Sequence, residues 1–371
     1  MKKIAIIGAG YLQLPLVLKA NEMGVQTYCF AILDAAVCKE ACYKFYEISI
    51  TEKEKILAIC KNLKVDAVLS IGSDLAVSTV NYIAHHMNLV GNPIQNTGCT
   101  TDKYWMKKAL SVEHISVAKF AQGSNPETFN YADLSFPLIV KPTDRSGSRG
   151  VSIINTSNEF LKAYKTAVEA SFKKSVIVEE FIQGREISIE TISYNGNHTI
   201  LATTDKVTTG SPNFVETEHH QPAILSKKEI HKIQNIIPRA LSALKIVNGA
   251  SHIELFITKE DEIVINEIGA RMGGDFIGST LVELSTGYDY LKAVIEISLG
   301  NKPPKPMKLI KKSSGIIFRT HETQSLFDAT LKKNKDIIIK ELSLFESIQL
   351  KKSADRGNYF IYQSEKKINL A

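Results

Sequence analysis

The sequence is poor in cysteine, since only 5 of its 371 residues are cysteines and all of them lie within the first hundred positions. Their number is odd, no two are separated by two residues, and no histidine lies at the spacing of a zinc ligand. We therefore expect reduced thiols with a structural role. Proline and glycine are also scarce, with 11 and 21 residues. That scarcity excludes a fibrous or largely disordered chain, and the length predicts two or three globular domains.

Long apolar runs are absent as well, because no uninterrupted stretch approaches the roughly 18 residues of a membrane-spanning helix. The apolar residues 4–7 end at Gly8, without the small-residue cleavage site of a signal peptide. We expect a cytoplasmic protein with no membrane segment. The net charge of +6 is concentrated in residues 302–371, where 15 Lys and Arg stand against 7 Asp and Glu. We interpret this segment as a solvated lysine-rich surface and expect no nucleic-acid partner.

The first hundred residues alternate between strand and helix patterns. Strands are predicted over residues 4–7, 25–30 and 67–71, and helices over residues 12–23, 52–63 and 76–87. Such alternation requires parallel strands joined by right-handed crossovers. We predict a doubly wound, Rossmann-like α/β domain over residues 1–100.

A glycine turn, Gly8-Ala9-Gly10, joins the first predicted strand to the first helix. A dinucleotide site is one interpretation, because a glycine turn at a helix N-terminus can receive a pyrophosphate. The fingerprint is incomplete, since Gln13 stands where the third glycine belongs and no acidic residue ends the second strand. The other interpretation is a tight turn that lets the helix pack on its sheet. A nicotinamide-dependent dehydrogenase is kept as an alternative function.

After residue 101, predicted hairpins replace the alternation. Asn195-Gly196 separates two alternating runs, which is a strong hairpin signal, and a second hairpin is predicted over residues 250–268. A proline-containing linker begins at Gly300, and we expect residues 301–371 to form a small basic C-terminal subdomain. The predicted fold class is α/β followed by α+β.

Lys141 ends a predicted apolar strand and is followed by a loop rich in serine and glycine that reaches Gly150. Backbone N–H groups and a cation are what a triphosphate requires. The loop lacks the GxxxxGK[ST] pattern of a Walker A motif. An ordinary basic turn explains these residues equally well, so both interpretations stay open on this loop alone.

Two glutamates, Glu254 and Glu267, lie on predicted neighbouring strands. If both side chains face inward, they provide with phosphate and water the oxygen shell that Mg²⁺ prefers. An outward, solvated orientation is the alternative. Arg271 follows in a glycine-rich segment, and a guanidinium there can stabilise a developing phosphate or oxyanion.

In this order along the chain, these elements resemble the ATP-grasp superfamily of carboxylate–amine ligases. The resemblance covers roughly residues 1–300. It implies a Rossmann-like pre-ATP-grasp domain over residues 1–100 and an ATP-grasp domain over residues 101–300, with a lid at about 115–180 and a catalytic part at about 181–300. It also implies ATP and Mg²⁺, with Mn²⁺ as the alternative ion.

The resemblance gives each motif a role. It implies Glu254 and Glu267 as metal ligands, and Arg271 and Lys141 as catalytic residues. The seven-residue spacing between Glu179 and Glu186 matches the adenine hinge and the ribose carboxylate of the family. The residues implied to bind ATP are Lys103, Lys141, Ser146, Gly147, Ser148, Gly150, Glu179, Glu180, Phe181, Ile182 and Glu186.

One position departs from the family pattern. An asparagine is common two residues after the second glutamate, and this sequence has Gly269 there, so the number of metal ions stays open. Residues 208–222 and 269–287 resemble the L-amino-acid ligases and carnosine synthase. The substrate contacts considered on that basis, or from a turn expected to face the cleft, are Ser73, Asp74, His219, His220, Gly273 and Gly274.

The function implied by the resemblance is an ADP-forming ligase that activates a carboxylate as an acyl phosphate and joins it to an amine. Its partners are small-molecule carboxylate and amine substrates, with an amino acid among them, and a homodimer is kept as a hypothesis by analogy. The alternatives are a purine-pathway ligase, a biotin-carboxylase-like enzyme, or a nucleotide-binding module without catalysis. The Ala-Met-Lys-Met tetrad of a biotin carrier is absent from the sequence.

Overall fold

The N-terminal part of the computed structural model is a parallel four-stranded sheet. The structure describes residues 1–210, 214–305, 312–321, 323–343 and 355–368. The first sheet contains β1 (Lys3–Ile7), β2 (Gln26–Ala31), β3 (Lys44–Glu47) and β4 (Ala67–Leu69), and its helices are α1 (Leu14–Glu22), α2 (Lys53–Leu63) and α3 (Asp74–His86). The spatial order is β3-β2-β1-β4, and every neighbouring pair is parallel. The predicted Rossmann-like architecture is confirmed.

The glycine turn after β1 is filled by a side chain of the protein itself. The N–H of Gly10 donates to Oε1 of Gln13 at 3.0 Å, and Nε2 of Gln13 donates to the carbonyl of Ile71 at 2.6 Å. The residue that replaces the third glycine therefore ties the turn to the segment after β4. This geometry favours the tight-turn interpretation.

A second four-stranded sheet follows the N-terminal sheet along the chain. Its strands are β5 (Phe120–Gly123), β6 (Leu138–Pro142), β7 (Ser152–Ile154) and β8 (Val176–Glu180), which helix α4 (Lys103–Val112) precedes and helix α5 (Phe160–Ala170) covers. The order is β5-β8-β6-β7 and the pairs are antiparallel. Phe160 and Tyr164 of α5 pack on Val140 and Val178 of the sheet, so this unit has its own core.

The largest sheet has eight antiparallel strands in the order β13-β12-β9-β10-β11-β14-β16-β15. They are β9 (Gly184–Tyr194), β10 (Asn197–Thr208), β11 (Glu216–Gln221), β12 (Gly249–Thr258), β13 (Ile263–Gly269), β14 (Ser313–Phe318), β15 (Ile338–Ser343) and β16 (Asn358–Ser364), with helices α6 (Lys227–Ala243), α7 (Val282–Thr286), α8 (Tyr290–Ser298) and α9 (Gln324–Lys333). Both predicted hairpins are confirmed. Asn195 and Gly196 have φ of +50° and +75°, as a tight turn between twisted strands requires.

The strands after residue 300 extend this large sheet. Strand β14 pairs with β11 on one side and with β16 on the other. A separate C-terminal subdomain stays a prediction, and its residues 306–311, 322, 344–354 and 369–371 lie outside the described part of the chain. Within the described part, no helix is long and apolar enough to cross a membrane.

The cysteines were expected to be reduced thiols with a structural role. All five cysteines are free, as predicted, and Cys29, Cys38 and Cys60 are buried. The cytoplasmic location and the absence of nucleic-acid partners stay predictions.

One face of the N-terminal sheet shares a hydrophobic cluster with α8 and with Met272. That cluster fixes the glycine-rich segment after β13 against the N-terminal sheet.

Candidate active site

A cleft with a volume of about 330 Å³ lies where the three sheets meet. Of the twenty residues singled out from the sequence, sixteen line it. They are Asp74, Lys103, Lys141, Ser146, Gly147, Ser148, Glu179, Glu180, Phe181, Ile182, Glu186, His219, Glu254, Glu267, Arg271 and Gly274. Residues that are more than 190 positions apart in sequence therefore face one space. Their individual roles stay predictions.

The other four residues do not line the cleft. The hydroxyl of Ser73 accepts from the N–H of Ala76 and caps α3. At Gly150 a Cβ would lie 2.6 Å from that of Ala170, so this glycine allows packing on α5. The other two are buried, His220 against Tyr362 and Glu218, and Gly273 against Glu190.

Glu254 and Glu267 face each other across strands β12 and β13, where they are register partners beside a β-bulge. Each carboxylate is held by a lysine: Lys206 lies 2.8 Å from Glu254, and Lys103 lies 2.9 Å from Glu267. Burial raises the pKa of Glu254, but Lys206 and His252 outweigh burial and hold that pKa well below its usual range. Glu254 is therefore available as an anionic oxygen donor, and Glu267 lies beside it on the neighbouring strand.

These two carboxylates fit a hard divalent cation such as Mg²⁺, because oxygen donors are its preferred ligands. Among the described residues, no group of three His, Cys, Asp or Glu side chains forms a complete metal cage. Asn266, beside Glu267, also lines the cleft. A cation here would take its remaining ligands from a phosphate and from water, as Mg²⁺ commonly does in nucleotide enzymes.

Lys206, on β10, is a central residue that the sequence reasoning did not single out. Its buried ammonium donates to Glu186 at 2.6 Å and to Glu254 at 2.8 Å, and Glu216 lies 3.6 Å away. Burial lowers the pKa of Lys206, but the three carboxylates outweigh burial and raise it well above its usual value. The lysine joins the predicted ribose carboxylate to a predicted metal ligand. Its three partners lie on three other strands, and such contacts leave no local sequence signal. The one signal was the alternating pattern of β10, which continues past Thr204 to Lys206.

At the opposite wall of the cleft, a buried ion cluster surrounds Glu179. Lys141 lies 2.9 Å and Lys107 3.4 Å from the same carboxylate oxygen. Burial lowers the pKa of Lys107 to about 8, despite the opposing effect of Glu179. The N–H of Phe181 donates to the carbonyl of Pro137 at 3.0 Å, so that donor of the predicted hinge is already used.

The lid loop (residues 146–150) covers one side of the cleft. Nζ of Lys103 donates to the carbonyl of Arg145 at 2.6 Å, which anchors the start of the loop. Gly147 and Ser148 have positive φ values of +69° and +56°. Successive N–H groups in such a turn can form an anion-binding concavity, which is the property predicted for this loop.

The arginine loop (residues 269–275) follows β13 and carries Arg271 into the cleft. Asp74, the first residue of α3, binds its guanidinium through two hydrogen bonds, Nε to Oδ1 at 2.7 Å and Nη2 to Oδ2 at 2.8 Å. Burial raises the pKa of Asp74, but Arg271 outweighs burial and lowers it. The pair therefore stays ionised on both sides.

Besides Asp74, the buried carboxylate of Glu190 also holds the arginine loop, through the backbone of Gly273. Its Oε2 accepts from the N–H of Gly273 at 3.1 Å, and its Oε1 lies 2.5 Å from Nδ1 of His252. The other imidazole nitrogen lies 3.3 Å from Glu254. Burial lowers the pKa of His252, but the two glutamates outweigh burial and raise it to about 9. This series of contacts, from Gly273 through Glu190 and His252, joins the arginine loop to Glu254, a predicted metal ligand.

The cleft lining also includes Arg356, which shortly precedes β16. The Arg356 guanidinium donates to Asp275 at 2.8 Å, and the same carboxylate lies 3.3 Å from Nε2 of His219. Arg356 also lies over the ring of Phe318, 4.1 Å from its centroid. Sequence reasoning did not single out Arg356, because its partner lies 81 positions away. Ser211 and Pro212, part of a segment that supported the resemblance, lie outside the described residues.

The chain is similar to known proteins in both sequence and fold. Residues 134–279 match a family model described as an ATP-grasp domain. The chain is 29% identical over 245 residues to alanine–anticapsin ligase of Bacillus subtilis, and the match covers 60% of this chain and 51% of that ligase. The chain thus spans about half the length of this curated relative.

Two further comparisons cover more of the chain. It is 25% identical over 276 residues to the formate-dependent phosphoribosylglycinamide formyltransferase of Prochlorococcus marinus strain NATL1A, covering 73% of this chain and 70% of that enzyme. The crystal structure of an L-amino acid ligase from Bacillus licheniformis superposes with a TM-score of 0.83 at 20% identity, covering 99% of this chain and 94% of that one. At that identity the superposition shows a shared fold over nearly the whole chain.

Proposed function

From the premise that the chain belongs to the ATP-grasp superfamily, we propose that it is an ADP-forming ligase that joins a carboxylate to an amine, with an amino acid among its substrates. The observation that carries this proposal is the opposed pair Glu254 and Glu267, which faces lysines and Arg271 across one cleft. Such a set of charges suits the transfer of a phosphoryl group, which requires mainly positioning and charge neutralisation. The names of the similar ligases support an amino acid as a substrate.

In the proposed reaction, an oxygen of the substrate carboxylate attacks the γ-phosphorus of ATP and the bond to ADP breaks, which leaves an acyl phosphate. The amine then attacks the acyl carbon, phosphate leaves, and the amine nitrogen loses a proton. Mg²⁺, when bound, would neutralise charge on the transferred phosphoryl group. Glu254 and Glu267 are the residues that would hold it.

The side chains of this protein supply the remaining electrostatics. Lys103 and Lys141 provide positive charge at the phosphate end, and Arg271 faces the transferred group or the oxyanion of the second step. The lid loop would exclude water, which otherwise hydrolyses an acyl phosphate. Glu186 and the segment 179–182 would bind the ribose and the adenine. No step in this scheme needs a nucleophilic serine or cysteine.

The test is phosphate release from MgATP across a matrix of paired amino acids, with single amino acids, formate, bicarbonate and ammonia as further arms. Release that requires two amino acids would support the proposal and identify both substrates. Release with formate or bicarbonate would replace the amino acid as the activated carboxylate and retain the ligase chemistry, whereas ammonia alone offers no carboxylate to activate and serves as a blank. Absence of ADP even in a single turnover, with MgATP bound, would favour the nucleotide-binding module without catalysis.

Glu267→Gln provides the sharpest variant for this assay. We expect phosphate release to fall at least 100-fold, because one anionic ligand of the metal pair becomes a neutral amide. Glu260→Gln is the matched control, since Glu260 is exposed in the turn between the same two strands, and it should retain wild-type release. Equal release from Glu267→Gln and the wild type would contradict the metal assignment.

A further inference from the structure

The contact between Asp74 and Arg271 joins two parts of the chain that are 197 positions apart. Asp74 begins α3 of the N-terminal sheet, and Arg271 lies on the arginine loop after β13. Two parallel hydrogen bonds of 2.7 and 2.8 Å connect the carboxylate to the guanidinium. This bidentate geometry fixes the plane of the guanidinium as well as its distance. Both side chains are mostly buried, with 18% and 14% of their surface exposed.

Gly269 is the position that gives this pair its space. A Cβ added there would lie 2.7 Å from Oδ1 of Asp74 and 3.2 Å from Nε of Arg271. Gly269 does not have a positive φ, so backbone conformation does not explain the glycine. The ion pair therefore occupies the volume that a side chain at position 269 would need. The asparagine expected there from the family pattern is excluded by the same two groups.

The pair leaves part of the guanidinium available to the cleft. Arg271 uses one N–H of Nε and one of Nη2 for Asp74, and a long bond of 3.3 Å joins Nη1 to the carbonyl of Met272. These bonds use three of the five N–H groups of an arginine. The remaining two belong to Nη1 and Nη2, and Arg271 lines the cleft.

We propose that Asp74 is a positioning residue that orients Arg271 toward the transferred phosphoryl group, and that Gly269 is needed to admit it. The inference rests on the proposed function, because it takes Arg271 as the group that faces the phosphoryl. It replaces the expectation that Asp74 contacts the substrate directly. It also makes the N-terminal sheet part of the catalytic apparatus, because α3 supplies the carboxylate.

The experiment measures binding of MgADP and then of orthovanadate, a phosphoryl mimic, to the MgADP-loaded protein. The variants are Asp74→Asn, Gly269→Ala and the double variant, with Arg271→Lys as the benchmark for loss of the guanidinium. Asp66→Asn is the matched control, because it removes an ion pair with Lys2 from the same N-terminal sheet, where Lys2 is largely exposed. The two ligands separate the ADP site from the site of the transferred group.

We expect each single variant to bind MgADP within about twofold of the wild type and to bind orthovanadate at least tenfold more weakly. A purely structural role would change both affinities together. Because Asp74→Asn and Gly269→Ala break the same contact from opposite sides, the double variant should be no weaker than either single variant. Gly269→Ala retains the Asp74 carboxylate, so its loss of vanadate binding would separate positioning from direct contact.

Three outcomes would overturn the inference. Wild-type vanadate affinity in Asp74→Asn or Gly269→Ala would show that the pair does not orient Arg271. Losses that add in the double variant would show that the two residues act independently. A wild-type protein that binds neither MgADP nor vanadate would overturn the proposed function together with the inference, whereas the first two outcomes leave the proposed function standing.

Discussion

The lid loop and the arginine loop are both rich in glycine, but Gly147 of the lid loop has different surroundings from Gly269 and Gly273 of the arginine loop. In the lid loop, a Cβ at Gly147 would meet nothing closer than Arg149 at 3.9 Å. In the arginine loop, a Cβ at Gly269 would lie 2.7 Å from Asp74, and one at Gly273 would overlap Glu190 and lie 2.8 Å from His252. The open glycine leaves space for a ligand. The crowded glycines leave space for buried side chains of the protein itself.

This difference changes how a glycine-rich segment next to a cleft is interpreted. Gly273 was a candidate substrate contact, yet the buried carboxylate of Glu190 accounts for the glycine without any substrate. Gly274, its neighbour, lines the cleft, and a Cβ there would lie 3.9 Å from Leu12. The two adjacent glycines of this loop therefore have different structural surroundings, and only Gly274 faces the candidate site.

The largest effect that tests this comparison is expected from Gly273→Ala. Because the new methyl group would overlap Glu190 and crowd His252, we expect the free energy of unfolding to fall by about 3 kcal/mol. Gly274→Ala is the matched variant, and it should change that free energy by less than about 0.5 kcal/mol. Urea unfolding of both proteins measures the difference. Equal losses would mean that the loop relaxes around the methyl group and that the crowding is unimportant.

The sequence was sufficient for the elements whose signals are local. The alternation in the first hundred residues, the Asn195-Gly196 turn and the lysine at the end of β6 all depend on neighbours within a few positions. They predicted the parallel sheet and the hairpin, whereas most of the residues that line the cleft were implied by the resemblance. The predicted hairpin over residues 250–268 placed Glu254 and Glu267 on neighbouring strands, which the register confirms.

The residues that were missed depend on contacts between distant segments. Lys206 is buried among carboxylates of three other strands. Arg356, just before β16, binds Asp275, and Glu190 accepts a hydrogen bond from a loop residue 83 positions away. Strand β11 also has little apolar character, with the sequence Glu-Thr-Glu-His-His-Gln. Its membership in the sheet comes from pairing with β10 and β14. Local periodicity contains no information on such partners.

A smaller effect is expected from Glu190→Gln, measured as a function of pH. The His252 pKa is raised to about 9 in the folded protein, from 6.5 in the unfolded chain. Between these values the folded protein holds a proton that the unfolded chain has lost. This stabilisation is therefore complete below pH 6.5 and disappears as the pH rises through 9, with a slope of at most about 1.4 kcal/mol per pH unit.

Removing the negative charge of Glu190 should return the His252 pKa toward its ordinary value. We expect Glu190→Gln to be less stable than the wild type by about 2 kcal/mol at pH 6 and to approach it by pH 9. Urea unfolding at closely spaced pH values provides the two curves. If the two curves of unfolding free energy against pH run parallel, the buried pair of Glu190 and His252 does not stabilise the fold around the arginine loop.

A smaller loss of stability than in Gly273→Ala or Glu190→Gln is expected from Gly147→Ala, which tests the open glycine of the lid loop against the crowded Gly273. Alanine at φ +69° costs about 1 kcal/mol of backbone strain, and no steric overlap adds to it. Gly196→Ala is the matched control, because Gly196 has φ +75° and nothing within 4 Å, in a hairpin turn outside the cleft lining. Both variants should lose the same stability in urea.

Only Gly147→Ala should also weaken MgADP binding, by about threefold to tenfold, since a loop that closes over phosphates needs the backbone freedom of glycine. If both variants bind MgADP like the wild type, the lid loop is an ordinary basic turn, and open space beside a glycine is not a sign of a ligand.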